Sequence, residues 1–160
     1  RKLADLLVRA MVQAPPGSEQ QQNLMRDINT TLEQAVRINP NDLETRLNFG
    51  RAMYTMNATG RSAEQFLQAD RLDPENPEVA LYSGLNFLRS GEYGLAELNL
   101  AEALDRQPGY LPALVALGSL NVELGRLDRA RDFLAQAKAV DPEGRGVAEL
   151  EARIANPTTA

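Results

Sequence analysis

The chain has 160 residues, contains no cysteine and no histidine, and carries a formal net charge of −5. This composition excludes a disulfide scaffold and removes the commonest general base, the imidazole metal ligand and the thiol nucleophile. An acidic chain without a basic cluster also argues against nucleic acid as a partner. Since no apolar stretch approaches the roughly 20 residues that span a bilayer, we expect no membrane insertion within these residues.

Two helices are predicted ahead of the regular part of the chain. The first covers residues 1–13, where apolar side chains recur at helical spacing. The Ala-Pro-Pro-Gly sequence at 14–17 breaks it, and Ser18 is suited to cap a second helix that extends to about Ile38. We interpret residues 1–42 as an imperfect first repeat with an insertion.

A period of 34 residues organises the rest of the chain. It recurs in prolines (Pro40, Pro74, Pro108, Pro142), alanines (Ala35, Ala69, Ala103, Ala137), glycines (Gly50, Gly84, Gly118) and bulky residues (Leu32, Phe66, Leu100, Leu134). Small residues let helix axes approach closely, bulky residues fill the space between hairpins, and proline ends a helix. A fixed long period is typical of one helical hairpin stacked along an axis. The sequence therefore predicts a solenoid rather than a catalytic globule.

The period predicts three full repeats, at residues 43–76, 77–110 and 111–144. Their helices are expected near residues 43–56, 61–72, 77–90, 93–106, 111–124 and 127–140. A last helix is expected within residues 145–156, with Val147, Leu150 and Ile154 on one face. Because an unpartnered end repeat would expose apolar surface, we interpret this helix as a cap. The whole chain, residues 1–160, is predicted to form one domain.

The repeats resemble those of the tetratricopeptide repeat family. The best match lies in residues 77–110, where the family's order of small, aromatic and proline residues is met by Gly84, Phe87, Gly91, Tyr93, Ala96, Leu100, Ala103 and Pro108. Residues 111–144 repeat this order with Leu117, Gly118, Gly125, Leu127, Ala130, Leu134, Ala137 and Pro142. Residues 43–76 depart from it at Asn57 and Ser62, which replace a turn glycine and a small alanine. The resemblance implies an all-α fold, a right-handed α-α superhelix of helix-turn-helix hairpins with a capping helix.

Motifs for catalysis and phosphate binding are absent from the sequence. The serines lack a nucleophile-elbow context, and neither a Walker A sequence nor a dinucleotide fingerprint occurs. Carboxylates such as Glu97 and Glu102, or Asp128 and Asp132, alternate with arginine and polar residues, which is typical of a solvated helix face. We therefore predict no enzymatic activity, no cofactor and no metal site.

A candidate binding surface follows from the resemblance, which implies that the first helix of each repeat lines a concave groove. In the middle repeat, Leu81, Leu85 and Leu88 form an apolar stripe beside the one that suits the core. The predicted groove adds the residues 34 positions away and their polar neighbours, which gives Leu47, Asn48, Arg51, Tyr54, Leu81, Tyr82, Leu85, Leu88, Arg89, Val115, Ser119 and Val122. In this interpretation Arg51 and Arg89 form a cationic edge. The alternative is that the terminal helices, particularly the cap from Val147, fold over the stripe and bury it.

Such a groove would suit an apolar helix or an extended peptide of a partner protein, or another copy of the chain. Some family members hold a partner's C-terminal carboxylate with lysine, arginine and asparagine. Here Asn48 and Arg51 are present, but Glu44, Glu78 and Pro112 occupy edge positions where a cation would help, which argues against an acidic chaperone tail.

The function predicted from the sequence is a non-catalytic interaction module, a scaffold or adaptor in complex assembly. Two alternatives stay open: a self-associating structural subunit, and a regulatory or docking segment of a longer enzyme. Because the sequence starts at Arg1 and not at methionine, we expect a fragment or a processed product. Periplasm and cytoplasm are both compatible with the composition, and the identity of the partner is left open.

Overall fold

The structure is a computed structural model that describes the backbone of residues 2–156 and the side chains of residues 6–156. Within this range every regular element is an α-helix. The helices are α1 (Lys2–Gln13), α2 (Glu19–Ile38), α3 (Leu43–Thr55), α4 (Thr59–Leu72), α5 (Pro77–Arg89), α6 (Tyr93–Arg106), α7 (Leu111–Glu123), α8 (Leu127–Val140) and α9 (Val147–Ala155). None of these helices is long and apolar enough to cross a membrane.

The helices form two compact units that divide between Pro74 and Glu75. In the first unit α1 packs on α2 and α3 packs on α4, and in the second α5 packs on α6 and α7 packs on α8. The bounds of α3 to α8 agree with the predicted helices to within two residues. The predicted start of the first helix at Arg1 lies outside the described residues, and the single domain over residues 1–160 stays a prediction.

Helix starts follow local hydrogen bonding. The Ser18 hydroxyl accepts a hydrogen bond from the Gln21 N–H at 3.1 Å, which confirms it as the cap of α2. Asp42 caps α3: its carboxylate accepts hydrogen bonds from the hydroxyl and from the backbone N–H of Thr45. These bonds, the hydroxyl's first, hold the pKa of the Asp42 carboxyl below its ordinary value.

The first unit is built on close packing between its helices. Its core contains Met11, Ile28, Leu32, Phe49, Ala52 and Met53. Gly50 of α3 faces Phe66 of α4, and a Cβ atom on Gly50 would lie 2.6 Å from the Phe66 ring. Beside this contact the buried Ser62 hydroxyl donates a hydrogen bond to the Gly50 carbonyl at 2.9 Å. Ser62, which stands where the family has a small alanine, therefore has a hydrogen-bond partner for its buried hydroxyl.

The second unit repeats the same arrangement. Its largest core cluster contains Ala80, Leu81, Ala96, Leu100, Ala103, Ala113, Leu117 and Leu120. A Cβ atom on Gly84 would lie 2.7 Å from Cγ of Leu100, so α5 and α6 approach as closely as a glycine permits.

The last helix, α9, packs on α7 and α8. Val147, Leu150 and Ile154 are its buried residues, which confirms the face predicted for this helix. A Cβ atom on Gly118 would lie 2.5 Å from the Leu150 side chain. The glycine of α7 therefore leaves the space in which Leu150 of α9 packs. By covering this surface, α9 removes the apolar end of α7 and α8 from water.

The turn inside each hairpin depends on a left-handed residue. Gly91 and Gly125 have φ angles of +74° and +68°, and Asn57 takes φ +58° at the equivalent position of α3 and α4. Asparagine is among the few non-glycine residues that tolerate this conformation. The departure from the family pattern at Asn57 therefore preserves the turn.

We expect Gly91→Ala to lower the free energy of unfolding by about 1 kcal/mol, since a Cβ atom disfavours left-handed backbone. Nothing lies within 4 Å of the added methyl group, so the cost comes from the backbone alone. Gly94→Ala is the matched control. It adds the same methyl group into open space in the first turn of α6, where alanine should be neutral or stabilising by up to about 0.5 kcal/mol. Urea denaturation of both variants measures the difference, and equal effects would contradict the assignment of the turn.

Candidate functional site

The predicted groove residues fall into one group in each unit. Leu47, Asn48, Arg51 and Tyr54 lie on α3, and we call this group the α3 face. The other eight lie on α5 and α7 and form what we call the α5–α7 face: Leu81, Tyr82, Leu85, Leu88, Arg89, Val115, Ser119 and Val122. Each face is described within its own unit.

The α3 face carries a polar network along one side of the helix. One terminal nitrogen of Arg51 donates hydrogen bonds to Asn48 Oδ1 at 2.6 Å and to Glu44 Oε1 at 3.3 Å. The amide nitrogen of Asn48 donates to the same Glu44 oxygen at 3.4 Å. Arg51 is therefore not the open cationic edge that the sequence predicted, because its guanidinium forms an ion pair with Glu44, two turns earlier.

Two predicted groove residues belong to the core. Leu47 is 4% exposed and Leu81 is 6% exposed. Leu81 is a member of the cluster that includes Leu100 and Leu117. Both leucines therefore offer little surface to a partner, and we correct their assignment from binding residues to core residues. The stripe expected on α5 therefore begins in the core of the second unit, at Leu81.

The rest of the α5–α7 face is half-buried. Tyr82, Leu85 and Leu88 pack against the core cluster of this unit and retain partial exposure, whereas Arg89 is exposed. Leu85 and Leu88 lie three residues apart, so their side chains share one side of α5. This pair leaves accessible apolar surface next to an arginine at the end of the helix.

The α7 part of the face is partly covered by α9. A Cβ atom on Gly146, just before α9, would lie 2.8 Å from the Val115 side chain. Val122 packs against the cluster of Ala130, Leu150 and Ile154. Coverage by the terminal helix, the alternative considered from the sequence, thus applies to the two valines of α7. Ser119 lies between them in the chain and stays partly exposed.

Two charged residues of α9 were missed by the sequence interpretation, which treated this helix only as a cap. Glu149 and Arg153 lie 34 residues after Val115 and Ser119, so the period that identified the groove could have found them. Arg153 forms an ion pair with Glu123, at the end of α7, at 3.3 Å.

The comparisons with known proteins agree on one fold. Residues 87–154 match the model of a tetratricopeptide repeat family. No curated protein matches the chain. Among solved structures, the crystal structure of MamA aligns with a TM-score of 0.66 and 17% identity, over 85% of this chain and 87% of that one.

Two further solved structures align with similar TM-scores and sequence identities. The Arabidopsis OM64 TPR domain aligns with a TM-score of 0.65 and 18% identity, over 71% of this chain and 93% of that one. The first TPR of Spaghetti (RPAP3), bound to the HSP90 peptide SRMEEVD, aligns with a TM-score of 0.64 and 15% identity, over 71% and 90%. At these identities the likeness shows the fold, and the predicted all-α repeat fold is confirmed.

The corrected assignment of Leu81 predicts a large loss of stability on truncation. Leu81→Ala should lower the free energy of unfolding by about 2–5 kcal/mol, since it removes buried side-chain atoms from the core of the second unit. Leu98→Ala in α6, where the leucine is 65% exposed, is the control and should stay within about 0.5 kcal/mol of the parent chain. Chemical denaturation followed by circular dichroism measures both. Similar small effects for the two variants would contradict the assignment of Leu81 to the core.

Proposed function

Because this chain is a tetratricopeptide repeat protein, we propose that it is a non-catalytic interaction module, a scaffold or adaptor that binds a peptide or helix of a partner protein on the α5–α7 face. The observation that carries the proposal is the accessible apolar surface of Leu85 and Leu88, beside the half-buried Tyr82. Side chains anchored on one side by a core are preorganised for binding, because little side-chain entropy is lost when a partner covers them.

The repeat register supports a binding role for this position of the helix. The residues equivalent to Leu85 are Arg51 on α3 and Ser119 on α7, so the fold accepts polar side chains here. Packing of the hairpin therefore does not require a leucine at position 85. An apolar residue that the fold does not need, on a partly exposed surface, is the pattern expected of a contact for a partner.

The charges of the α3 face make that face a poor site for an acidic C-terminal tail. The peptides in two of the solved structures with this fold, SRMEEVD and SGPTIEEVD, end in acidic residues. In this chain an acidic peptide would compete with Glu44 for Arg51, and with the oxygen of Asn48 that already accepts a hydrogen bond from that guanidinium. Removal of an existing ion pair lowers the net gain from the new one.

The non-catalytic part of the proposal rests on the composition. Without histidine or cysteine, acid–base or nucleophilic chemistry would depend on carboxylate, lysine, tyrosine or hydroxyl groups. Three of the four carboxylates that the sequence pointed to are engaged with arginines: Glu97 with Arg126 and Arg129, Glu102 with Arg106, and Asp128 with Arg131.

Substitution of the central leucine should separate binding from folding. Peptides that bind the full chain, selected from a random display library, supply the ligands, and fluorescence anisotropy measures their affinity. Leu85→Glu should weaken binding at least tenfold, because a buried apolar anchor at an interface contributes about 2 kcal/mol or more. The variant should stay folded, since arginine and serine occupy the equivalent positions.

Leu67→Glu is the matched control, because Leu67 lies on α4 and is 54% exposed. It should bind as the parent chain does. If folded Leu85→Glu retained full affinity, the α5–α7 face would not be the binding site.

Self-association is a second candidate function, and α6 supplies the observation that favours it. Tyr93, Leu95 and Leu98 are exposed on this helix, and Leu98 is 65% exposed. The residues equivalent to Leu98 in the neighbouring hairpins are Glu64 and Asp132, so charge is usual at this position. Leu95 likewise replaces arginines, Arg61 and Arg129. Two exposed leucines where the other hairpins carry charge form the kind of surface that pairs with a second copy.

Sedimentation velocity over a range of protein concentrations tests this candidate. The parent chain should show a concentration-dependent rise in sedimentation coefficient, and Leu98→Glu should abolish it, because the substitution restores the charge that the other hairpins carry there. A parent chain that sediments as a monomer at every concentration would remove self-association from consideration.

A further inference from the structure

The terminal helix α9 continues the repeat beyond the third full hairpin. Val147 and Ile154 of α9 lie 34 residues after Ala113 and Leu120 of α7, and all four side chains are buried. The residues that bury α9 are therefore those that bury the first helix of a repeat. By register and packing, α9 corresponds to the first helix of a further repeat, and the surface role of a first helix extends to it.

Two ion pairs establish which side of α9 faces which neighbour. Glu151 accepts a hydrogen bond from Lys138 of α8 at 2.6 Å, and Arg153 pairs with Glu123 of α7 at 3.3 Å. One side of α9 thus faces α8 and another faces α7. Glu149 precedes Arg153 by four residues, one helical turn, so it lies on the side that faces α7.

The α7 side of α9 carries a carboxylate that is open to a partner. Glu149 is exposed, and within the described residues it makes no ion pair. The Glu123 carboxylate at the end of α7 is instead engaged with Arg153. Glu149 takes the position that the partly covered Val115 has on α7, so the apolar residue there is replaced by an acidic one on α9.

We infer that α9 forms the C-terminal end of the α5–α7 face and that Glu149 selects a partner segment with a lysine or arginine beside its apolar residues. This inference rests on the proposed function, because it assigns the partner's chemistry at the same face. Charge complementarity carries it: a carboxylate at the edge of an apolar surface attracts a cation and repels an acidic segment. The net charge of −5 also attracts a basic segment, and repels an acidic one, at longer range.

The test compares peptides selected from a random display library on the full chain and, in parallel, on the full chain with Glu149→Lys. We expect lysine and arginine to be enriched among peptides selected on the parent, and aspartate and glutamate to replace them on the variant. For one synthetic peptide from the parent selection, Glu149→Lys should weaken binding about fivefold, the scale of one exposed charge pair. The peptide SRMEEVD serves as the acidic comparison and should bind the parent more weakly than the selected peptide.

Glu151→Lys is the matched control, since it makes the same change of charge on the side of α9 that faces α8. It should leave the peptide affinity unchanged at moderate salt, and circular dichroism confirms that both variants are folded. Equal losses for Glu149→Lys and Glu151→Lys would show an effect of net charge and overturn the inference.

The outcomes separate this inference from the proposed function. Peptides that lose affinity on Leu85→Glu but show no preference for basic residues would overturn the role of Glu149 and keep the α5–α7 face. Peptides that are insensitive to Leu85→Glu, or a library that yields no binder, would overturn the proposed face and the inference together.

Discussion

The close approach of a glycine to a bulky side chain is the contact on which the packing of α3, α5 and α7 depends. Gly50 meets Phe66, Gly84 meets Leu100 and Gly118 meets Leu150, and in each case a Cβ atom would lie between 2.5 and 2.7 Å from the neighbouring side chain. A side chain at any of these positions would force the facing side chain, or the helix that carries it, to shift. The glycines therefore set the distance and rotation of the first helix against its neighbour, and interiors packed at this density transmit any change along the helix.

This constraint also decides which residues remain available for binding. In α5, which is held against α6 at Gly84, Leu81 is buried in the core while Leu85 and Leu88 retain partial exposure. At Gly118 the close contact is instead with Leu150 of α9, and α9 with the residue before it covers part of the two valines of α7. The candidate binding surface is thus the part of each first helix that the glycine contact does not bury.

Ion pairs between successive elements add to this packing in the second unit. Glu97 of α6 forms ion pairs with Arg126 and Arg129 at 2.9 and 2.8 Å, and its side chain is only 25% exposed. The sequence predicted a solvated carboxylate at this position. Two guanidinium groups on one carboxylate form a small network, which contributes more than an isolated surface pair. The contact joins α6 to the start of α8 in the next hairpin.

The sequence by itself determined the repeat, its helices and its turns, because these depend on local chemistry repeated at a fixed spacing. Proline ends a helix wherever it occurs, and a left-handed turn needs glycine or a tolerant substitute such as Asn57, whatever surrounds it. The buried face of α9 was predictable for the same reason. Only the tertiary structure decided the burial of Leu81, the pairing of Arg51 with Glu44 and the coverage of Val115 by α9. These outcomes depend on how far each helix rotates and on which long side chain reaches which partner, and a 34-residue period specifies neither.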